Sequence, residues 1–186
     1  VTALPGSDSD KPIQIPVANE KEKIAHIGLT SDDDEALDAA MGKAESGEQV
    51  LWIENTVLDA QKIYQRIAAK MAGTAVEYGL VHSRYIKETR AVNECKWVSL
   101  YGSGNNEARK KCGRILIGSQ VLEQSLDIDA DFLVTRLCPT DMMLQRMGRL
   151  WRHDLHNEVR PANAKCSVLI LSPEYDKAVS TPRMFG

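Results

Sequence analysis

The stretch KCGRILIGSQVLEQSLDIDADFLVTRLCPTDMMLQRMGRLWRH, residues 111–153, gives the clearest indication of the fold of this chain. It contains two short apolar runs, at 114–118 and 132–137, which have the length and branched side chains of buried strands. Polar residues follow each run and lead into a potential helix. Parallel strands present functional residues at their carboxyl ends, so we expect both polar clusters on the same edge of one sheet.

The rest of the chain alternates between strand and helix patterns. Apolar runs predict further strands at 13–17, 26–29, 49–54, 76–82 and 166–171. Helical spacing of apolar residues predicts one helix from Ser31 to Gly47, one from Val57 to Gly73, and one after Arg84 that ends near Leu100. Ser31 and Asp34 fit a capping box, and residues 101–111 are predicted to form a loop. This order predicts a mostly parallel α/β sheet with helices on both faces.

Composition narrows the class of protein. The 186 residues suit one domain, and the apolar content of 43% is typical of a globular chain. No run is long enough to span a bilayer, and the four cysteines never form C-x-x-C, so we expect reduced thiols, no metal site and a cytoplasmic location. The chain begins without methionine, and we expect it to be part of a larger protein.

Charge is distributed unevenly along the chain. The net charge is −3, but residues 136–160 contain five arginines and two histidines. Any contact with phosphate must therefore come from a local positive edge and not from the field of the whole molecule. We divide the chain into a linker and edge-strand region (1–30), a lobe (31–172) and a tail (173–186) that leads to a further C-terminal part.

The second polar cluster has a helical pattern with one polar face. With about 100° per residue, Arg149 falls about 40° from Gln145 and Arg152 about 20° from it on the other side. The opposite side is apolar and consists of Met143, Met147, Leu150 and Trp151. Gly148 would end the helix early and leave both arginines in a tight loop beside Gln145. Guanidinium groups suit phosphate because they are planar, permanently charged and able to donate two parallel hydrogen bonds. The alternative is an amphipathic helix whose arginines are only solvated.

Two segments carry a family resemblance. QRMGRLWRH (145–153) resembles motif VI of superfamily-two helicases, and GSQVLEQSLDID (118–129) resembles their motif V. The wording S-Q-V-x-E-Q-S-L-D-I-D, followed by Q-R-x-G-R-L-x-R-H, is similar to the CRISPR-associated helicase-nuclease family of type I systems. The resemblance is strongest over residues 50–153. It implies the second RecA-like lobe of a helicase motor.

The resemblance assigns roles on the nucleotide side. Arg149 and Arg152 match the arginine fingers of motif VI, and Gln145 would position the nucleotide or the attacking water. Asp127 matches the motif V acid that contacts the ribose, although Ser125 replaces the usual glycine of G-x-D. Asp127 could equally be a loop acid that caps its neighbours. Arg146 is grouped with the nucleotide-binding residues, or it bridges instead to Asp127 or another acid of the lobe.

The resemblance also assigns a nucleic-acid side. Ser119 and Gln120 match residues that touch the nucleic-acid backbone, and Asn55 with Thr56 resembles motif IV. Residues 82–84 (His82, Ser83 and Arg84) resemble a DNA-contacting motif that precedes a helix N-terminus. Two alternatives remain open. Asn55 and Thr56 could be only a helix cap, and His82 could be a buried, hydrogen-bonded strand histidine.

Other parts of a motor are absent from the sequence. It has no G-x-x-x-x-G-K-[ST] loop for phosphates, no D-E-x-H or D-E-A-D string for magnesium and no histidine-aspartate nuclease signature. We therefore expect ATP and Mg²⁺ to be held mainly by a first lobe, and this lobe alone to be inactive. The implied partners are that lobe, a nuclease domain, single-stranded DNA and a guide-RNA surveillance complex, without a membrane.

The function implied by the resemblance is ATP-dependent travel along single-stranded DNA from 3′ to 5′, used in CRISPR interference to unwind and degrade invader DNA. One alternative is a non-catalytic nucleic-acid-binding module that kept the fold. The other is the lobe of an RNA helicase, since contacts to the backbone separate DNA from RNA poorly.

Overall fold

The computed structural model describes residues 2–3, 13–14, 23–104, 106–123 and 126–173. In chain order the strands are β1 (Thr2–Ala3), β2 (Ile13–Gln14), β3 (His26–Thr30), β4 (Gln49–Ile53), β5 (Glu77–Val81), β6 (Arg114–Gly118), β7 (Phe132–Arg136) and β8 (Ser167–Leu171). Six of them form one sheet in the order β3-β8-β7-β4-β6-β5, and every neighbouring pair is parallel. The predicted parallel sheet is confirmed.

The helices cover both faces of this sheet. They are α1 (Asp33–Glu45), α2 (Val57–Met71), α3 (Lys87–Tyr101), α4 (Asn106–Lys111) and α5 (Thr140–Met147). On one face α1 and α2 bury residues such as Leu37 and Ile67 against the sheet. On the other face α3 and α5 contribute Trp97 and Met143 to a second apolar layer. The architecture is that of a RecA-like α/β lobe.

The central strands explain why the sequence shows apolar runs instead of alternation. All five residues of β4 and all five of β6 are buried, because helices cover the sheet on both sides. The edge strand β3 is different, with only Thr30 buried among its five residues. Gly79 on β5 permits close packing of α3, since a Cβ there would lie 1.9 Å from Cζ2 of Trp97.

The start of α1 differs from the prediction. The N-cap is Asp32, whose Oδ1 accepts a hydrogen bond of 2.8 Å from the amide of Asp34, so the capping box of Ser31 and Asp34 is wrong. A carboxylate at this position both satisfies a free amide and faces the positive end of the helix dipole. The helix ends as predicted, with Gly47 at φ +90° just beyond it.

The segment predicted as a loop at 101–111 contains helix. Tyr101 is the last residue of α3, and α4 occupies Asn106–Lys111. Within α4, Ala108 and Arg109 are buried. The glycines and polar residues of the segment concealed a short helix, which the buried partners of Arg109 anchor to the rest of the lobe.

The terminal regions were predicted only in part. The strand at 26–29 is confirmed as β3, which pairs with β8 at one edge of the sheet. From the predicted strand at 13–17, β2 pairs antiparallel with β1, apart from the main sheet, and residues 15–17 lie outside the described residues. Residues 174–186 of the predicted tail also lie outside them. The boundaries 1–30, 31–172 and 173–186 stay predictions.

The four cysteines, Cys95, Cys112, Cys138 and Cys166, are free thiols. Within the part of the chain that the structure describes, no helix combines the length and the apolar character needed to cross a membrane.

Candidate functional site

The carboxyl ends of three neighbouring strands form one edge, which we call the nucleic-acid edge. Asn55 and Thr56 follow β4, Ser119 and Gln120 follow β6, and residues 82–84 follow β5. Gln120 joins two of these segments directly, because its Nε2 donates a hydrogen bond of 3.1 Å to the carbonyl of Asn55. The sheet therefore brings together residues that lie up to 65 positions apart in sequence.

The side chains on this edge differ in their exposure. Asn55, Ser83, Arg84 and Gln120 are exposed, so a ligand can reach them. Ser119 is only 1% exposed, and among the described residues its Oγ has no hydrogen-bond partner. The predicted contact between Ser119 and a nucleic-acid backbone is therefore wrong for this conformation, since β6 and its neighbours cover the side chain.

His82 lies inside the lobe. It is 3% exposed, its ring stacks on that of Tyr85 with centroids 4.0 Å apart, and its Nε2 lies 3.3 Å from Nε2 of Gln61. Burial lowers the pKa of His82, and the neighbouring charge of Arg84 lowers it further. The alternative of a buried strand histidine describes it better than direct contact with nucleic acid. His82 instead supports the chain just before Ser83 and Arg84.

Thr56 caps α2. Its Oγ1 accepts a hydrogen bond of 3.1 Å from the amide of Asp59 and donates one of 2.7 Å to Oδ2 of the same residue. The helix-cap interpretation is thus correct for Thr56. Because the residue is also exposed, capping does not exclude a contact with a ligand.

We expect Thr56→Ala to lower the free energy of unfolding by about 1 kcal/mol, because the amide of Asp59 loses its acceptor. Urea denaturation of the chain measures this difference. Thr56→Asn is the matched control, since asparagine is a good N-cap and should retain most of the stability. Equal stability of the alanine and wild-type chains would mean that the cap contributes nothing.

The arginine segment, residues 148–152, follows α5 and lies beside Ala130, which precedes the amino end of β7. Gly148 follows α5 as predicted, and Leu150 then forms a parallel bridge with Ala130. Leu150 is 3% and Met143 9% exposed, while Met147 and Trp151 pack against the same core. The predicted division into an apolar and a polar side is confirmed, and Gln145 is exposed on the polar side.

Arg149 is held by backbone carbonyls. Its Nη1 donates to the carbonyl of Leu126 at 2.6 Å and its Nη2 to that of Glu123 at 2.5 Å. Among the described residues, no carboxylate forms a salt bridge with Arg149, and its buried Nε has no hydrogen-bond partner. Burial lowers the pKa of Arg149, and the positive charge of Arg152 lowers it further. Within the described residues, one N–H group on each of Nη1 and Nη2 has no partner, and a partly desolvated cation of this kind fits an anionic ligand such as phosphate.

Asp127 lies between Arg152 and His153. Its Oδ1 is 2.8 Å from Nε2 of His153 and 3.5 Å from Nε of Arg152. The side chains of Asp127 and Arg152 are 44% and 42% exposed, so this ion pair is easily exchanged for a ligand. The structure therefore pairs Asp127 with Arg152, one of the two predicted finger residues.

Arg146 corrects one prediction. It is fully buried, with Nε donating to Oε1 of Glu123 at 2.8 Å and Nη2 to Oδ1 of Asn55 at 3.0 Å. Its acid partner is Glu123 and not Asp127. A side chain without exposed surface cannot contact a nucleotide in this conformation, so Arg146 does not belong to the nucleotide-binding set.

Sequence reasoning missed a buried charge cluster behind the arginine segment, consisting of Arg109, Asp129, Asp131, His156 and Arg160. Asp131 Oδ1 pairs with Nη2 of Arg109 at 2.6 Å and closely with Nη1 of Arg160. Asp129 pairs with Nη2 of Arg160 at 2.7 Å and closely with Nδ1 of His156. All five side chains are at most 2% exposed. The closely spaced acids Asp129 and Asp131 in D-I-D-A-D were the one available signal, and the first acid of that run, Asp127, lies outside the cluster.

The cluster fixes the turn between the two finger candidates. Trp151 has φ 45°, a left-handed conformation that is rare for bulky residues. The guanidinium of Arg160 lies 4.4 Å from the centroid of the Trp151 ring. Nε1 of Trp151 donates to the carbonyl of Asp131 at 3.2 Å. The amide of Arg152 donates to Oδ1 of Asp129 at 3.0 Å. The cluster therefore sets where Arg152 leaves the backbone.

His156 should make stability depend on pH. Burial lowers its pKa below the ordinary value of 6.5, despite the hydrogen bond to Asp129. The unfolded chain therefore takes up a proton below about pH 6.5 before the folded chain does, and unfolding becomes easier as the pH falls. We expect a lower free energy of unfolding at pH 5.5 than at pH 7.5 in urea titrations.

The variant His156→Asn tests the origin of this dependence. The amide nitrogen of the asparagine can still donate a hydrogen bond to Asp129, but the asparagine side chain does not titrate. The variant should show a flatter pH profile than the wild type, with the remaining slope in the same direction from His82, whose pKa is also lowered. An unchanged profile would assign the dependence to other groups.

Residues 23–104, 106–123 and 126–173 contain no group of three or more histidine, cysteine or acidic side chains able to hold a metal ion. The polar groups of the candidate site are the guanidinium groups of Arg149 and Arg152, the carboxylate of Asp127 and the exposed amide of Gln145.

The fold and this edge together define the chain as a RecA-like lobe of the helicase type. Residues 46–155 match the family model described as CRISPR-associated nuclease/helicase Cas3, C-terminal. The chain belongs to this Cas3 C-terminal family. It corresponds to the helicase lobe of that family, and it spans about 15% of the length of curated relatives that it matches.

Individual relatives agree with this assignment. The chain is 40% identical over 139 residues to the CRISPR-associated endonuclease/helicase Cas3 of Escherichia coli K12, covering 74% of this chain and 15% of the relative. The crystal structure of T. fusca Cas3 with AMPPNP superposes with a TM-score of 0.79 and 29% identity over 88% of this chain and 20% of that one. A chain of the structure described as CRISPR RNA-guided surveillance complex, pre-nicking, superposes with a TM-score of 0.76 and 28% identity. The match covers 91% of this chain and 21% of that one.

Proposed function

We propose that this chain is the second motor lobe of an ATP-dependent single-stranded-DNA translocase or helicase. The observation that carries the proposal is the position of Arg149, a half-buried arginine that, within the described residues, donates its hydrogen bonds to the carbonyls of Glu123 and Leu126. Membership of the Cas3 C-terminal family supports it. A structural neighbour solved with AMPPNP supports a nucleotide as the anionic ligand.

In the proposed mechanism, ATP binds between this lobe and the first lobe, and closure of the cleft places Arg149 and Arg152 against the γ-phosphate. Water then forms a bond to the γ-phosphorus while the bond to the bridging oxygen of ADP breaks. Negative charge spreads over the γ-phosphate oxygens, and the two guanidinium groups offset it. Magnesium bound with ATP on the first lobe would supply further positive charge at these oxygens.

The other residues of the site have positioning roles in this mechanism. The amide of Gln145 is exposed and orients the nucleotide or the attacking water. Arg152 exchanges its 3.5 Å contact with Asp127 for phosphate, which frees Asp127 to accept a ribose hydroxyl. Hydrolysis reopens the cleft and moves the two lobes along the strand.

The nucleic-acid edge would hold single-stranded DNA through its backbone. Arg84 is exposed, and among the described residues it forms no salt bridge, so it can pair with a phosphate at little cost. Gln120, Asn55 and Thr56 offer neutral contacts beside it. Contacts of this kind position a strand without recognising its sequence.

The wider setting is also part of the proposal. It comprises travel from 3′ to 5′, degradation of invader DNA by a nuclease domain, recruitment by a guide-RNA surveillance complex and a cytoplasmic location. The similarity to a chain of a pre-nicking surveillance complex supports the recruitment. Because its sequence contains neither phosphate-binding loop nor magnesium motif, the lobe alone should not hydrolyse ATP.

The test is ATP hydrolysis by the full-length protein, titrated with single-stranded DNA or RNA. We expect DNA to stimulate turnover, and Arg84→Ala to raise the half-stimulating DNA concentration about tenfold, as for a lost charge-assisted hydrogen bond. For the Arg84→Ala variant, the plot of log DNA affinity against log salt concentration should be less steep by about 0.7. Lys110→Ala removes the same charge from α4, at the opposite edge of the sheet, and should change neither quantity.

The other two functions give different results. Stimulation by RNA but not DNA would favour the RNA helicase lobe. Binding of DNA without any stimulated turnover would favour a non-catalytic module.

A further inference from the structure

A continuous chain of polar contacts connects the nucleotide side of this lobe to its nucleic-acid edge. It begins at Arg149, whose Nη2 donates to the carbonyl of Glu123 at 2.5 Å. The carboxylate of Glu123 pairs with Arg146, with Oε1 at 2.6 Å from Nη2 and 2.8 Å from Nε. Glu123 is therefore the residue that contacts both the finger candidate, through its backbone, and the buried arginine, through its side chain.

The chain continues from Arg146 to the exposed edge. Nη2 of Arg146 donates to Oδ1 of Asn55 at 3.0 Å, and Asn55 is one of the exposed residues that follow β4. The carbonyl of Asn55 accepts from Nε2 of Gln120 at 3.1 Å, and its Nδ2 donates to the carbonyl of Leu137 at 2.9 Å. A ligand that moves Asn55 or Gln120 must therefore strain or shift the hydrogen bonds of Arg146.

Burial makes this connection stiff. The side chains of Arg146 and Glu123 are 0% and 2% exposed, so water cannot replace a contact that is lost. Arg146 is also fixed by Thr135, whose Oγ1 accepts from its Nη1 at 2.7 Å. Movement of either member of the pair must be accompanied by movement of the other, because an unpaired buried charge is costly.

From this geometry we propose that the Glu123–Arg146 pair couples occupancy of the nucleic-acid edge to the placement of Arg149. Both are positioning residues, since neither is exposed to a ligand. DNA at Asn55 and Gln120 shifts Arg146, Arg146 carries the carboxylate of Glu123 with it, and the carbonyl of Glu123 sets the orientation of Arg149. The proposal rests on the proposed function and adds to it the path by which DNA stimulates ATP hydrolysis.

The test is the ratio of DNA-stimulated to DNA-free ATP turnover in the full-length protein. Glu123→Gln alone leaves Arg146 as a buried unpaired charge and would damage the fold. The variant Glu123→Gln/Arg146→Gln removes both charges, which avoids that penalty. We expect this double variant to fold and to bind DNA. Its ratio of DNA-stimulated to DNA-free turnover should be about fivefold lower than that of the wild type, or lower still, which is the size of a typical coupling between sites.

A matched control neutralises another pair. Glu48 and Lys43 form a 3.0 Å salt bridge at the amino end of β4, with a buried carboxylate, on the opposite edge of the sheet. Glu48→Gln/Lys43→Gln should keep the wild-type ratio. A purely structural role for Glu123 and Arg146 would make both double variants behave alike, because each loses one ion pair with a buried carboxylate.

The outcomes separate the inference from the proposed function. If the folded Glu123/Arg146 double variant keeps the wild-type ratio while Arg149→Ala loses turnover, the coupling path is wrong and the motor assignment stands. If Arg149→Ala itself keeps DNA-stimulated turnover, the finger assignment fails first. Should the double variant not fold, Glu123→Asp decides: its shorter carboxylate must lower the ratio, and an unchanged ratio overturns the proposal.

Discussion

Replacing Arg149 with alanine should reduce DNA-stimulated ATP hydrolysis by the full-length protein about 10³-fold or more. Positioned arginine fingers contribute roughly 10³ to 10⁵ in rate to phosphoryl transfer in comparable enzymes. The loss should appear in kcat, because the guanidinium would act on charge that develops in the transition state. Steady-state turnover at saturating DNA, with ATP varied, measures it.

Two further variants control for the effect of Arg149→Ala on the fold. Arg149→Lys keeps the positive charge but cannot donate to the carbonyls of Glu123 and Leu126 in the same geometry, so we expect a loss almost as large. Lys110→Ala, at the opposite edge, should have wild-type turnover. If Arg149→Ala is folded by circular dichroism and hydrolyses ATP at the wild-type rate, the finger lies elsewhere.

Asp131→Ala should be the most destabilising single substitution that we predict. Asp131 accepts hydrogen bonds from Arg109 and Arg160 and, through Oδ2, one of 2.7 Å from the amide of Gln49. Removing the carboxylate leaves two buried guanidinium groups with Asp129 as their one remaining acid in the cluster. Breaking a buried pair typically costs about 3–5 kcal/mol. Domains have only about 5–15 kcal/mol of stability, so a large part of it is at risk.

Urea denaturation, or the soluble yield if the variant does not fold, measures this effect. Asp38→Ala is the matched control, because Asp38 forms a 3.1 Å salt bridge with Lys70 at the surface. Exposed pairs contribute about 0.2–1 kcal/mol, so the control should be close to wild type. A loss at Asp131 no larger than at Asp38 would mean that the cluster does not stabilise the lobe.

The sequence was sufficient for the framework because helix and strand patterns are local. Runs such as 114–118 predicted the central strands, since a strand covered on both faces is apolar throughout. The helical wheel separated Met143 and Leu150 from Gln145, and Gly148 predicted the end of α5. The sequences of the two motifs predicted the family, and the match of residues 46–155 to the family model confirms it.

Contacts between distant segments account for the predictions that failed. The local sequence predicts a loop where α4 forms, because Arg109 finds its partners 20 and 22 residues further on, at Asp129 and Asp131. The resemblance predicts a contact between Ser119 and a nucleic-acid backbone, whereas Ser119 is buried after the end of β6. No local pattern contains this information.

The sequence by itself therefore determined three features of this protein. These are the parallel α/β lobe, the arginine segment and the edge that would hold DNA. Only the tertiary structure decided which charges meet. It buried Arg146 against Glu123 and Asn55, left Arg149 bonded to carbonyls, and joined two arginines, two aspartates and a histidine behind Trp151. The physical reason is that periodicity places a side chain on a face of its own element. The partner across the core depends on how the strands are ordered in the sheet.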